Sequence, residues 1–429
     1  MPALVWFRSD LRTDDHEPLR RAAAAGPMLG VYALHPALLA PSPLIGVPRA
    51  GAHRLRFLLE SLGALRGELR ALGSDLVVRR GAPGAVVPAL AREIGATAVF
   101  AHEEPGTDEW ADEDAVAAGL DELGIPLRTS WGSTLVHPDD LPFELEQLPD
   151  IFSQFRRIVE RQVSFRRPEP APRLAGVPGC EAGMIPTLAD LGVAPIPEDP
   201  RCAVVMQGGS VPGRERWEGW AFARRCLGRY KETRNGMLAP DDASRLSPWL
   251  ALGCLSPRRV ADDVRRYEHQ HGRNDSTTWY VVELLWRDYF RFVLAVHGDR
   301  LFRASGLRGG RVAWRHDAER FAAWCAGRTG QPLVDAGMRE LAATGWLSNR
   351  ARQNVASFLA KELEIDWRWG AEWFEHQLLD YDPGSNWANW AYLAGVGNDP
   401  RSDRRFNLER QASEYDPRGD YRRTWLADR

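Results

Sequence analysis

Asp380, Asp382, Asn386, Trp387 and Trp390 all fall within LLDYDPGSNWANWAY, from Leu378 to Tyr392. Two acids flank a tyrosine, and Pro383-Gly384 then breaks the chain, so both carboxylates can point from a turn into a cavity. Acids used as metal ligands would want histidine or further carboxylates beside them, and this stretch has neither. Acids that accept N–H groups from a heterocycle need no such company. The pattern favours an organic ring over a metal, and no metal site is read from the chain.

Three more segments could carry chemistry. TWYVVELLWRDYFRFVLAV, from Thr278 to Val296, is apolar on nearly every face and predicts a buried helix. Glu283 and Arg287 stand four apart on it, sharing a face with Trp286 and Phe290. An i,i+4 ion pair is one reading; the desolvation cost of burying such a pair favours the other, a polar face turned to a ligand. ASRLSPWLALGCLSP, from Ala243 to Pro257, predicts Ser247 as the N-cap of a helix opening on Pro248. Ser244, Arg245 and Ser247 would then sit where free N–H groups favour a phosphate, or would form an ordinary cap. In TGWLSNRARQNVASFLA, Asn349 and Arg352 are three apart on one helical side, and Arg352 either pairs with an acid near Asp380 or lies on the surface.

Other chemistries are excluded. Neither lysine, Lys231 or Lys361, follows a glycine, so there is no phosphate-gripping P-loop, and HExxH and GxSxG are absent. The five cysteines are scattered without a CxxC pair, which argues against a disulfide framework or a zinc site. The net charge of −3 does not itself suggest nucleic acid, but the basic residues are almost all arginine, and where they cluster matters more than their sum. No apolar run is long enough for a membrane span and the N-terminus does not read as a signal peptide, so a cytoplasmic protein is expected.

These side chains need a scaffold of two domains, the prior for 429 residues. Residues 1–131 alternate candidate strands (Ala3 to Phe7, Met28 to Leu34, Leu76 to Arg80, Thr97 to Ala101, Pro126 to Trp131) with helical patterns such as Arg49 to Leu72 and Asp108 to Leu123. That alternation predicts an α/β doubly wound parallel sheet. Its first turn, WFRSDLRTDD, lacks GxGxxG, so no dinucleotide is expected there. Residues 132–212 form a proline-rich connector, and residues 213–429 an all-α domain dense in tryptophan. Most of the 17 tryptophans would serve packing, yet indoles are also readily oxidised by one electron and a chain of them can carry charge.

Taken together the chain resembles the photolyase/cryptochrome family, and within it the cryptochrome DASH branch. The residues that carry the resemblance are VWFRSDLRTDDHEPL, ELEQLPDIFSQFRRIVE, YKETRNGM, SPWLALGCLSPR, WRDYFRF, TGWLSNRARQNVASFLAKELEIDWRWGAEWF, LLDYDPGSNWANWAY and GNDPRSDRRFN. The resemblance implies an antenna domain, a connector and a helical domain that binds FAD. Tyr230, Ser244, Leu246 and Ser247 would surround its phosphates and sugar, with Arg245 and Arg287 among the cofactor-binding residues. Arg352 and Asp380 would flank the flavin, Asp382 would accept from the ring N–H, and Asn386 would face N5.

The resemblance further implies that Trp390, Trp367 and Trp314 form an electron-transfer triad. Glu283, Trp286 and Asn349 would contact a DNA lesion flipped into the cavity, and Arg156, Arg157, Arg161 and Arg404 would meet phosphates on the rim. HEEPGTDE, with Glu109, resembles a binding loop for an antenna folate, 5,10-methenyltetrahydrofolate. Two departures stand out: Ala243 replaces a phosphate-binding hydroxyl, and Tyr392 replaces a tryptophan usual in duplex repair. The implied activity is blue-light-driven splitting of cyclobutane pyrimidine dimers in single-stranded DNA, by a monomer. The alternative is a photoreceptor that signals without repair; the short polar stretch after Asp399 weighs against it.

Overall fold

The computed structural model describes residues 1–177, 180–398 and 405–427. Five strands, β1 (Ala3–Phe7), β2 (Met28–Leu34), β3 (Leu76–Arg80), β4 (Val99–Glu103) and β5 (Leu127–Trp131), form one parallel sheet in the order β3-β2-β1-β4-β5. Four helices cover it: α1 (Glu17–Ala25), α2 (Ala52–Leu72), α3 (Pro83–Glu93) and α4 (Thr107–Asp121). Alternation along β1 explains the layering. Leu4 and Trp6 join a core with Val86, Leu90, Val116 and Leu120 of α3 and α4, whereas Ala3, Val5 and Phe7 enter a second core that runs on into the helical half.

β4 begins two residues later than Thr97, where the sequence pattern starts it. Thr97 N is held by Pro2 O and Ala98 O accepts from Leu4 N, and the register with β1 opens only at Leu4 opposite Val99. α2 likewise begins after Gly51, not at Arg49, because Arg49 N donates to Ala40 O and Gly51 N to His376 O.

The connecting stretch contains α5 (Phe152–Gln162) and runs up to α6 (Ser210–Glu218). Then follow α7 (Tyr230–Thr233), α8 (Ser247–Ala251), α9 (Pro257–His271), α10 (Asp275–His297), α11 (Ala318–Cys325), α12 (Pro332–Thr344), α13 (Asn349–Ser357), α14 (Trp367–Gln377), α15 (Pro383–Ala394), α16 (Leu408–Tyr415) and α17 (Asp420–Leu426). α10 is the axis of this half: a capping box between Asn274 and Thr277 starts it, and it packs against α5, α7, α9 and α15. No helix among the described residues is long and apolar enough to cross a membrane.

The two halves are joined by buried polar contacts. Arg12 donates to the carbonyls of Gly253, Gly132 and Asp15. Asp15 is ion-paired with Arg258 at 2.9 Å and also bonded to Ser256, the cap of α9. Asp288 of α10 accepts from the N–H groups of Leu135 and Val136 at 3.1 and 2.8 Å. Gly253 must be glycine: its φ is +66°, and a Cβ there would lie 2.2 Å from the Ser9 carbonyl oxygen.

Candidate functional site

Glu283, Arg287 and Arg291 recur every four residues along α10, yet they do not pair with one another. Glu283 Oε1 accepts from Trp279 Nε1 at 2.8 Å and pairs with Arg234 at 2.5 Å. Burial pushes its carboxyl above the ordinary range, and Arg234 and Trp279 oppose that only in part. Arg287 donates to the carbonyls of Ser133 and Leu250. Burial, with Arg291 beside it, lowers Arg287 to about 10. The i,i+4 ion pair that the spacing allows is therefore not formed.

The DYDP turn gives its two acids different tasks. Asp382 caps α15, accepting from Ser385 N at 2.7 Å through one oxygen, and pairs with Arg291 through the other. Burial would raise it, but Arg291 and Arg287 hold it below the ordinary carboxylate range. Asp380 accepts from Arg352 at 2.7 Å through Oδ2, while Oδ1 is buried with no partner. The free acceptor thus lies on Asp380. Asn386 is fixed by donating Nδ2 to Ala371 O at 3.0 Å.

Between α7 and α8 the chain wraps the same region. Ser244 Oγ accepts from Tyr280 at 2.9 Å, and Tyr230 stands edge-on to Tyr280 at 5.1 Å. Glu283 is close enough to Tyr230 to add to the rise in its phenol caused by burial. Ser247 is not the cap that the sequence pattern predicts. Leu246 holds that position without a side-chain bond, and Ser247 Oγ instead accepts from Trp346 Nε1 at 3.2 Å. Arg245 adopts φ +57°, and its side chain lies over the Trp346 ring at 4.3 Å, donating to Ala239 O.

Trp286 is stacked on Phe152 of α5, with centroids 3.6 Å apart and planes 15° apart, and Tyr392 meets it edge-on at 6.3 Å. Asn349 opens α13 in an exposed position behind the Ser348 cap. Trp390 packs edge-on against Trp324 and Phe374; a Cβ at Gly370 of α14 would lie 2.2 Å from Trp390, so that glycine admits the indole. Trp367, one turn earlier on α14, and Trp314 both donate Nε1 to the single carbonyl of Ala304, at 3.1 and 2.9 Å. Trp387 packs edge-on against Trp367 at 5.7 Å.

Glu109 lies apart from these, where the sheet reverses between β1 and β4, the crevice in which open α/β sheets bind ligands. Burial and Glu104 push it up to about 7, and Arg8 donates to its backbone carbonyl at 2.7 Å. Asp10 accepts from both His16 and His102 at 2.8 Å in the same crevice. Of the arginines expected to meet phosphates, Arg156 pairs with Glu160 of its own helix α5, which also carries Arg157 and Arg161. Arg404 lies outside the described residues.

Several partners were not singled out from sequence. Arg291 had a signal, since it continues the 283, 287 spacing by another four residues. Phe152, Arg234 and Trp346 lie within the quoted motifs but show no spacing that points to their partners, because only the fold brings α5, α7 and the approach to α13 against α8 and α10.

Residues 279–428 match the family model for the FAD binding domain of DNA photolyase, and residues 3–175 match that for DNA photolyase. The chain is 51% identical over 427 residues to a cryptochrome DASH of Gloeobacter violaceus, covering 99% of this chain and 85% of that one. A cryptochrome DASH of Xenopus laevis is 45% identical over 98% of this chain and 82% of its own. The crystal structure of a Synechocystis cryptochrome superposes with a TM-score of 0.96 at 46% identity, covering 99% of this chain and 89% of that chain. That of a class III photolyase from Agrobacterium tumefaciens gives 0.85 at 30% identity, covering 99% and 86%.

The donor set suits FAD. Asp380 Oδ1 is a buried acceptor lacking a donor, as a flavin ring N–H would be, and the Ser244 and Ser247 hydroxyls with Arg287 and Arg352 are of the kind that holds a dinucleotide. The chain belongs to the photolyase/cryptochrome family, in its cryptochrome DASH branch, and is a flavoprotein with an FAD-binding helical domain.

Proposed function

We propose that this flavoprotein splits cyclobutane pyrimidine dimers in single-stranded DNA under blue light. The observation that carries the reading is the Phe152–Trp286 stack one turn from Glu283, which sets a rigid aromatic plane beside a hydrogen-bonding acid on α10. When bound, reduced FAD supplies the light-driven electron. Tyr230, Ser244, Arg245, Leu246, Ser247, Arg287, Asn349, Arg352, Asp380, Asp382 and Asn386 are the residues assigned to hold it.

Trp286 stacks against the dimer, Asn349 holds its edge, and Glu283 stabilises the lesion radical anion by a hydrogen bond. Trp390, Trp367 and Trp314 lead charge between the buried site and the surface. Glu109 belongs to an antenna site for a methenyl folate. Tyr392, whose phenol edge meets Trp286, supports the single-strand preference. The reading takes the protein as a cytoplasmic monomer.

The test is light-dependent restoration of dimer-containing oligonucleotides, single-stranded and duplex, against dark controls. Repair of the single strand with little on the duplex is expected. No repair of either would leave the photoreceptor alternative standing.

A further inference from the structure

Trp279 of α10 is half-buried one turn before Glu283, and three cations lie over its ring. Arg156 Cζ is 5.6 Å from the centroid, Lys231 Nζ 5.7 Å and Arg234 Cζ 4.9 Å. They come from two places in the fold: Arg156 from α5, and Lys231 and Arg234 from α7 and the residue that caps it. Among the described residues no other indole gathers more than one. The cluster thus sets three cations from two elements around one half-buried indole beside Glu283.

Each cation rests against a carboxylate: Arg156 on Glu160 at 2.7 Å, Lys231 on Asp275 at 2.8 Å and Arg234 on Glu283 at 2.5 Å. The Lys231 and Asp275 side chains are 44% and 86% exposed, so that pair contributes little, and a phosphate can take the carboxylate's place at small cost. Indoles stack on bases of any sequence, and arginine and lysine neutralise backbone phosphates.

We propose that Trp279, with Arg156, Lys231 and Arg234, forms a nucleotide subsite of the rim that takes the base and backbone phosphate of the strand next to the nucleotide admitted beside Glu283. The proposal rests on the reading of single-stranded DNA as substrate. It supplies a reason for that preference independent of Tyr392: only an unpaired strand has a base face to offer the indole. Arg234 touches both the ring and Glu283, so the subsite adjoins the acid directly.

The test is dark binding of an undamaged, fluorescein-labelled oligothymidylate to the full flavoprotein, followed by anisotropy across a salt series. Trp279→Ala should weaken binding by roughly ten- to a hundredfold, and Trp279→Phe should keep most of it. Arg156→Met, at a half-buried position, and Lys231→Met, at an exposed one, should each lower the salt slope by about 0.7. Wild-type affinity in Trp279→Ala, or unchanged slopes in both methionine variants, would overturn the proposal. So would displacement of the strand by polyglutamate as effective as by oligothymidylate of equal charge, which would assign the cluster to an acidic protein. Because damage and light play no part, loss of binding in the variants upholds the subsite even where dimer repair fails.

Discussion

Asp380 and Asp382 share a turn, but each is spent differently. Asp382 is committed to the α15 cap and Arg291, whereas Asp380 keeps one buried oxygen free. Replacing Asp380 with Ala leaves Arg352 only the Leu347 carbonyl and removes that acceptor. Purified Asp380→Ala should lose most of its bound flavin, read as the ratio of flavin to protein absorbance, and about 2–4 kcal/mol of stability. Glu340, behind the cofactor-side arginines Arg245 and Arg352, offers a pH test. Burial pushes it up to about 7, partly offset by the Tyr421 hydroxyl and Arg245. A carboxyl whose folded pKa exceeds its unfolded value stabilises the fold at low pH and loses that contribution as pH rises through the folded value. Relative to Glu340→Gln, the wild type should therefore lose about 2–3 kcal/mol between pH 5 and 8 in urea unfolding; parallel curves would refute the assignment.

α5 and α10 show how an element outside the helical half shapes the site. Phe152, the first residue of α5, supplies the plane against which Trp286 lies. Phe152→Ala should cost about 3 kcal/mol and raise the KM for dimer-bearing single strands several-fold, with kcat changed less. Phe152→Leu should fall between. Equal effects on kcat and KM would place Phe152 in general packing instead. The length, buried character and polar stripe of α10 were legible in TWYVVELLWRDYFRFVLAV, but its partners were not. The spacing of Glu283 and Arg287 allows a mutual ion pair, and the fold instead gives Glu283 the indole of Trp279 on its own helix and Arg234 from beyond α7, and Arg287 the carbonyls of Ser133 and Leu250.

Across the whole molecule, a few buried polar groups lock sheet domain to helical domain. Arg12, Asp15, Ser256, Arg258 and Gly253 meet there, and Gly253 is the tightest point. Gly253→Ala puts a methyl against the Ser9 carbonyl in a backbone region that alanine disfavours, so a loss of about 2–4 kcal/mol is expected in chemical unfolding. Broadening of the transition into two steps, reported by separate probes in each half, would show that the domains had come apart.

Local pattern determined most of what could be known early. Alternating apolar runs specify five strands and their helices, and Pro-Gly in LLDYDPGSNWANWAY specifies a turn followed by a helix, since such features depend on residues near in sequence. Strand ends were less legible: β4 starts where its neighbours' hydrogen bonds permit, and those neighbours are distant in sequence. The roles within the site were decided last. Which carboxylate keeps a free oxygen, which arginine meets which acid and what covers Trp286 depend on contacts between helices tens to hundreds of residues apart. Periodicity can place a side chain on a face, and only packing chooses its partner.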